Sequence, residues 1–184
     1  MSQARERLVA LLRERSFERK KFTLSSGRES DFFIDCKQTV LTAEGHVLVG
    51  ELMFEALARL PPCQAVAGVA LGGCPLASAV SLTSFQKGKP LPALYVRSET
   101  KDHGSKRLVE GDRAIVPGMP AVVLEDVVTT GASTLKAVEK LAQVGVKVVG
   151  VVMIVDRLEG GAEALSQAGL PFVALATRRD FIPE

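Results

Sequence analysis

The sequence predicts an α/β fold with a central parallel sheet flanked by helices. Two observations carry that prediction. Five short runs rich in Val and Ala, at 65–70, 93–96, 121–128, 146–155 and 172–176, have the near-continuous apolar character of strands buried on both faces. Helical stretches at 75–86, 132–144 and 160–168 fall between them, and this alternation implies right-handed crossovers with ligands bound beyond the carboxyl ends of the strands. Ahead of the core, Leu8, Leu11 and Leu12 lie at helical spacing. A second amphipathic helix runs through Val47, Leu48, Leu52, Phe54, Ala56 and Leu57 until Pro61 and Pro62 stop it. Residues 17–37 interrupt the pattern: Phe22-Thr23-Leu24 and Phe32-Phe33-Ile34 flank a Ser-Ser-Gly-Arg turn and predict a hairpin-like hood. Between the strand-like runs at 93–96 and 121–128, the charged segment 97–107 has no apolar period and reads as a long mobile loop.

Composition bounds what this fold can do. The chain has 184 residues, which fits one domain over 1–184, and a domain of about this size buries about 70% of the surface its unfolded chain exposes. Hydrophobic residues make up 47% and charged residues 24%, with 23 Lys and Arg against 21 Asp and Glu, a balance that excludes disordered and fibrous classes. A net charge of +2 does not point to a nucleic-acid partner, so any anion site must be local. The longest apolar stretch, 148–155, is too short to span a membrane, and the N-terminal apolar run 9–12 is too short for a signal-peptide core. Cys36, Cys63 and Cys74 are odd in number and lack metal-ligand spacing, which fits a reducing, cytoplasmic setting.

Chemistry concentrates in Val122-Val123-Leu124-Glu125-Asp126-Val127-Val128-Thr129-Thr130-Gly131-Ala132-Ser133-Thr134, an apolar strand carrying two carboxylates, then a hydroxyl-rich turn into a helix. Such a turn presents backbone N–H groups and hydroxyls at a helix N-terminus, where a phosphate dianion is favoured. Gly131 permits close backbone approach. The carboxylates can accept hydrogen bonds from vicinal ribose hydroxyls and stabilise positive charge on the ring. The plainer reading is a helix cap by Thr129, Thr130 or Ser133 with a solvated acidic pair. Stranding both acids on an otherwise apolar run favours a site, because buried unpaired carboxylates are costly.

This segment resembles the phosphoribosyl-diphosphate (PRPP) motif of the type I phosphoribosyltransferases, and its surroundings resemble the orotate-using branch of that family. Four further segments carry the likeness: the hood at 22–35, Gly68-Val69-Ala70-Leu71-Gly72-Gly73-Cys74-Pro75, the loop Arg97 to Gly104 with Lys101-Asp102-His103-Gly104, and Asp156-Arg157. The resemblance implies a type I phosphoribosyltransferase fold and transfer of the phosphoribosyl group of PRPP to orotate, giving orotidine 5′-monophosphate and diphosphate in pyrimidine synthesis. It implies that Glu125 and Asp126 act on the ribose. PRPP would be held by Arg97, Gly72, Gly73 and Val127, Val128, Thr129, Thr130, Gly131, Ala132 and Ser133. Lys101 and His103 would act on the departing diphosphate, and orotate would meet Phe32, Phe33, Thr129 and Arg157. Of the two Phe rings at least one is expected to pack inward, since strand neighbours alternate. Mg²⁺ would be held mainly by substrate oxygens rather than by the protein. The partners implied are orotate, PRPP and a second copy of the chain, with the loop donated across a homodimer. Ser25, Gly72 and Ser98 stand where the family pattern often has lysine, and Glu125 where it often has Asp.

Two other classes share parts of this pattern. A purine phosphoribosyltransferase would keep the acidic motif but has no reason to combine the Phe32-Phe33 hood with Arg157. A PRPP-binding regulator would need no catalytic loop; Lys101 and His103 argue against it, while the missing lysines keep it open.

Overall fold

The computed structural model describes residues 2–20, 22–23, 29–98 and 107–182. Helix α1 (Gln3–Arg15) starts where the Ser2 side chain accepts from the Arg5 N–H, and buries Leu8, Val9, Leu11 and Leu12. Strands β1 (Phe17–Glu18), β2 (Phe22–Thr23), β3 (Glu29–Ser30) and β4 (Phe33–Ile34) follow, then helices α2 (Lys37–Val40) and α3 (Ala43–Leu57). The Thr42 hydroxyl caps α3 by accepting from the Gly45 N–H at 3.0 Å. The core then alternates as the apolar runs predict: β5 (Ala65–Val69), α4 (Gly73–Gln86), β6 (Ala93–Val96), β7 (Val109–Glu110), β8 (Met119–Val128), α5 (Ala132–Gln143), β9 (Val146–Asp156), α6 (Gly161–Gln167) and β10 (Phe172–Thr177).

These strands form one sheet in the order β10-β9-β8-β5-β6-β7. Five are parallel, but β7 runs antiparallel to β6, so the sheet is mixed where an all-parallel one was expected. The physical reason is that β7 is reached without a crossover, and a two-residue strand carries no readable period. Alternation along the strands splits the core between two faces. Val122, Leu124, Val152 and Ile154 pack with α1, α3 and α4 residues such as Leu8, Met53 and Leu76. Val123, Val151 and Met153 pack with Leu141 of α5 and Leu165 of α6 on the other face.

The hood is two small antiparallel pairs rather than one hairpin. β1 pairs β4 through Phe17↔Ile34 and Glu18↔Phe33, and β2 pairs β3 through Phe22↔Ser30 and Thr23↔Glu29. An aromatic cluster fastens it to the core: the Phe32 ring lies 5.2 Å from Phe17 and 5.6 Å from Phe181.

Candidate active site

The register of the sheet sets the site. Val128 of β8 pairs with Asp156 of β9, and Asp156 with Thr177 of β10, so the three chains leave the carboxyl edge side by side. Thr129 and Arg157 are the next residues out, and the Arg157 N–H donates to the Val128 carbonyl at 3.0 Å. Within β8, Glu125 is only 4% exposed. Its Oε1 accepts from the Thr134 hydroxyl at 2.8 Å and the Ser133 hydroxyl at 3.4 Å. Burial pushes the Glu125 carboxyl up to about 7, opposed by those two hydroxyls and reinforced by the charge of Asp126. Asp126 accepts from the Val127 N–H at 2.9 Å. Burial also raises its pKa, against the pull of that N–H and of the Lys37 ammonium.

Helix α5 begins after Gly131, whose φ of 78° is left-handed backbone that favours glycine, and no side chain caps it. The capping alternative therefore fails: Ser133 and Thr134 turn their hydroxyls to Glu125, and among the described residues no side chain caps the first N–H groups of α5. On the neighbouring strand the turn from β5 to α4 approaches closely at its glycines. A Cβ on Gly72 would lie 2.1 Å from an Asp126 carboxylate oxygen, and one on Gly68 would lie 2.0 Å from the Gly73 carbonyl. The Ala70–Leu71 peptide in this turn is cis. The turn thus sets Gly72 against the carboxylate of Asp126, which is how two segments far apart in sequence become one site. Beside it, a cavity of about 280 Å³ opens between β5, β6 and α5, lined in part by Arg97, Ser98, Ser133, Lys136 and Lys140.

Arg97 is held by Glu110 of β7 at 2.9 Å, and its N–H donates to the Leu108 carbonyl at 3.0 Å. Lys140 of α5 donates to the carbonyls of Arg97 and Ser98 at 2.6 and 2.8 Å. Both roots of the segment between 98 and 107 are therefore anchored. Lys101 and His103 lie outside the described residues, as does Ser25. On the base side, Arg157 is 7% exposed and binds Glu159 through Nε at 3.0 Å and a terminal nitrogen at 2.8 Å. Phe32 does not serve as expected. Its ring has 0% exposure and is core, packed against Phe17 and Phe181; Phe33, half-buried with the Lys20 ammonium 4.1 Å from its ring centre, is the more outward neighbour. Sequence reasoning includes Thr134 in the motif and Asp35 in the hood but gives neither a role of its own, and it passes over Lys37. Lys37 binds Asp35 at 2.6 Å, and the Cys36 thiol between them donates to the Asp126 carbonyl at 3.8 Å. An Asp-Cys-Lys triplet has no signal in one sequence; only the fold puts it beside β8.

The phosphoribosyl transferase domain model matches residues 53–168. An orotate phosphoribosyltransferase of Sorangium cellulosum is 77% identical over 180 residues, covering 98% of this chain and 94% of that protein. The chain belongs to the orotate phosphoribosyltransferase family. That membership places it among the pentosyltransferases and sets aside the purine-using alternative. The orotate phosphoribosyltransferase of Mycobacterium tuberculosis, solved with Fe(III) dicitrate, superposes with a TM-score of 0.82 at 38% identity, covering 97% of this chain and 98% of that one. The same enzyme solved with PRPP gives a TM-score of 0.79 at 35% identity, with the same coverage. Among the described residues of this orotate phosphoribosyltransferase family member, no helix is long and apolar enough to cross a membrane.

Proposed function

We propose that this chain, acting as one phosphoribosyltransferase unit, transfers the phosphoribosyl group of PRPP to orotate, releasing diphosphate and forming orotidine 5′-monophosphate. The single observation that carries the reading is the shared carboxyl edge: Glu125 and Asp126, the uncapped N-terminus of α5, the Gly72-Gly73 turn and Arg157 converge where β5, β8 and β9 end. The N–H groups and hydroxyls from Thr129 to Ser133 take the 5′-phosphate, where the helix dipole favours an anion. Glu125 and Asp126 take the ribose hydroxyls. As the bond from the anomeric carbon to diphosphate breaks, the ring gains oxocarbenium character, and the adjacent carboxylates stabilise it. The base nitrogen closes the new bond at that carbon as its proton leaves to the departing diphosphate or to water. Gly72 and Gly73 offer N–H groups to the diphosphate, with Arg97, Lys101 and His103 supplying positive charge. Arg157 meets the carboxylate side of orotate, with Thr129 and Phe33 beside the base.

The donor set fits Mg²⁺, which keeps waters and binds through one or two carboxylates plus substrate phosphates. The ion would be held mainly by diphosphate and ribose oxygens with waters, and would neutralise charge on the departing diphosphate. We place the enzyme in the cytoplasm, in keeping with three free cysteines, and infer a homodimer that donates the segment bearing Lys101 to its partner's site. Exposed apolar side chains at Leu82 and Phe85 of α4 and Val47 of α3 support self-association.

Orotate consumption with PRPP and Mg²⁺, with adenine, hypoxanthine and uracil as controls, tests the reaction; turnover of a purine but not orotate overturns it. Mixing inactive Lys101→Ala and Asp126→Asn chains under subunit exchange tests the shared site. Half of randomly paired dimers are mixed and each holds one intact site, so activity returns to about a quarter of wild type. No recovery with exchange verified refutes donation across the dimer.

A further inference from the structure

The parallel register that lines up Thr129 and Arg157 continues one strand further. Thr177 of β10 pairs with Asp156, so the residue after it, Arg178, leaves the sheet beside Arg157. A short helical turn, Arg178–Asp180, fixes that exit: the Asp180 carboxylate accepts from the Thr177 N–H at 2.8 Å and from its hydroxyl at 3.4 Å. Arg5 of α1 holds the other Asp180 oxygen at 2.8 Å. The backbone that carries Arg178 is therefore anchored on two sides.

Its side chain joins three segments that are remote in sequence. One terminal nitrogen donates to the Asp31 carboxylate of the hood at 2.6 Å. The other lies 3.8 Å from the Glu159 oxygen that also binds Arg157. The guanidinium carbons of Arg157 and Arg178 each sit 5.5 Å from the centre of the Phe32 ring, so the buried ring is flanked by both cations. Glu159 thus lies between two arginines, and its position decides where the Arg157 guanidinium points.

We propose that Arg178 is a positioning residue for the base: through Asp31 it seats the hood, and through Glu159 it aims Arg157 at the carboxylate of the incoming pyrimidine. The inference rests on the orotate reading above. Arg178 does not touch PRPP in this role, since the phosphate turn and the acidic pair belong to β8 and α5, so its loss falls on one substrate. Removing it cuts the ion pair between the hood and the strand edge, leaving the aromatic cluster around Phe32 as the anchor, and lets Glu159 swing with Arg157, which weakens orotate binding and its preference over uracil, the base that lacks the carboxylate.

Steady-state kinetics on the full chain, varying orotate and PRPP separately, test this in Arg178→Met, Arg178→Lys, Asp31→Asn and the double variant Asp31→Asn/Arg178→Met. KM for orotate should rise roughly tenfold in Arg178→Met, the scale of one hydrogen bond between charged groups, with KM for PRPP within about twofold. Lysine should recover part of the loss, since it restores charge but not the fork that reaches two acids. Asp31→Asn should reproduce a several-fold rise in KM for orotate, and the double variant should fall short of the product of the singles. Unchanged KM for orotate in Arg178→Met or Asp31→Asn overturns the proposal. So does a parallel rise in both KM values with a lowered melting temperature, the mark of a merely structural residue. If Arg178→Met does not fold, Asp31→Asn decides alone. A wild-type chain that does not consume orotate refutes the reaction instead, a result distinct from any difference among the variants.

Discussion

The ribose-phosphate half of the site and the base half are built in opposite ways. The first is nearly continuous in sequence: Glu125 to Thr134 supply the carboxylates, the turn, the helix N-terminus and the hydroxyls that hold Glu125. The second is assembled from Asp31 to Phe33, Arg157 to Glu159 and Arg178, joined by ion pairs. A continuous motif is positioned by the backbone of one strand and one helix, so in the proposed reaction each of its parts would act directly on substrate. A composite one depends on ties between side chains, and its members act through one another. Breaking the first should cost chemistry; loosening the second should cost selectivity.

The largest effect is expected at Asp126. Asp126→Asn keeps the shape but removes a charge that the proposed reaction sets beside the cationic ring, and kcat should fall by roughly two to three orders of magnitude, the scale of losing one preorganised electrostatic group. Circular dichroism and melting temperature should stay near wild type. Turnover within about threefold of wild type would remove Asp126 from the mechanism and the contrast with it. Next comes Gly68→Ala, which breaks the first half through its scaffold. The new Cβ would meet only backbone, at 2.0 Å from the Gly73 carbonyl oxygen and 2.4 Å from its carbon, so the turn beside Asp126 must move. Destabilisation of about 3 kcal/mol is expected, read as a fall in melting temperature of roughly 6–12 °C, with a loss of turnover in the protein that remains folded. An unshifted melting temperature would show that this turn yields easily.

Glu125 sharpens the comparison through pH. In the folded chain its carboxyl holds a proton up to about 7, whereas its ordinary value is 4.5. Between those values the folded state binds more protons than the unfolded one, so stability is greatest below the lower value and falls as pH rises through the upper. The full contribution is about 3 kcal/mol at 1.36 kcal/mol per pKa unit. Glu125→Gln stays neutral and should lose this slope, so urea unfolding of variant and wild type should diverge across that window. Parallel pH profiles would place Glu125 in a wetter setting than its burial indicates.

Much of this contrast was readable beforehand, and its unreadable part has a physical cause. The strands of the core and the acidic turn were legible because buried parallel strands are apolar without interruption and because carboxylates at the end of such a run need a reason. β7 was not, since two residues have no period. Phe32 is core where a base contact is expected, because alternation says that one of two adjacent rings turns inward but not which one. Arg178 was invisible for a different reason. In the run Thr177-Arg178-Arg179-Asp180 it looks like any charged tail, and only the register of β10 against β9 sets it beside Arg157. Local chemistry is written locally; ties across a sheet edge are written in pairing.

The smallest expected effect separates the partly buried tie in the base half from ordinary surface charge. Among the described residues, Asp31 has two cationic neighbours: Arg178 at 2.6 Å and Arg19 at 3.7 Å. The Arg19 side chain is 70% exposed, against 32% for Arg178, so water screens its pair with Asp31 and competes for it. Arg178 also reaches Glu159 and the Phe32 ring, which Arg19 does not among the described contacts. If the hood is seated by general attraction between Asp31 and nearby cations, removing either arginine should raise KM for orotate to a similar degree. If it is seated by the bridge from Asp31 through Arg178 to Glu159, Arg19→Ala should leave KM for orotate within about twofold of wild type and the melting temperature nearly unchanged, as for most exposed ion pairs. Added salt should leave the wild-type value equally steady, because the remaining tie is partly buried. A rise in KM for orotate in Arg19→Ala as large as that in Arg178→Met would make the base half a diffuse electrostatic patch rather than an assembly of specific ties.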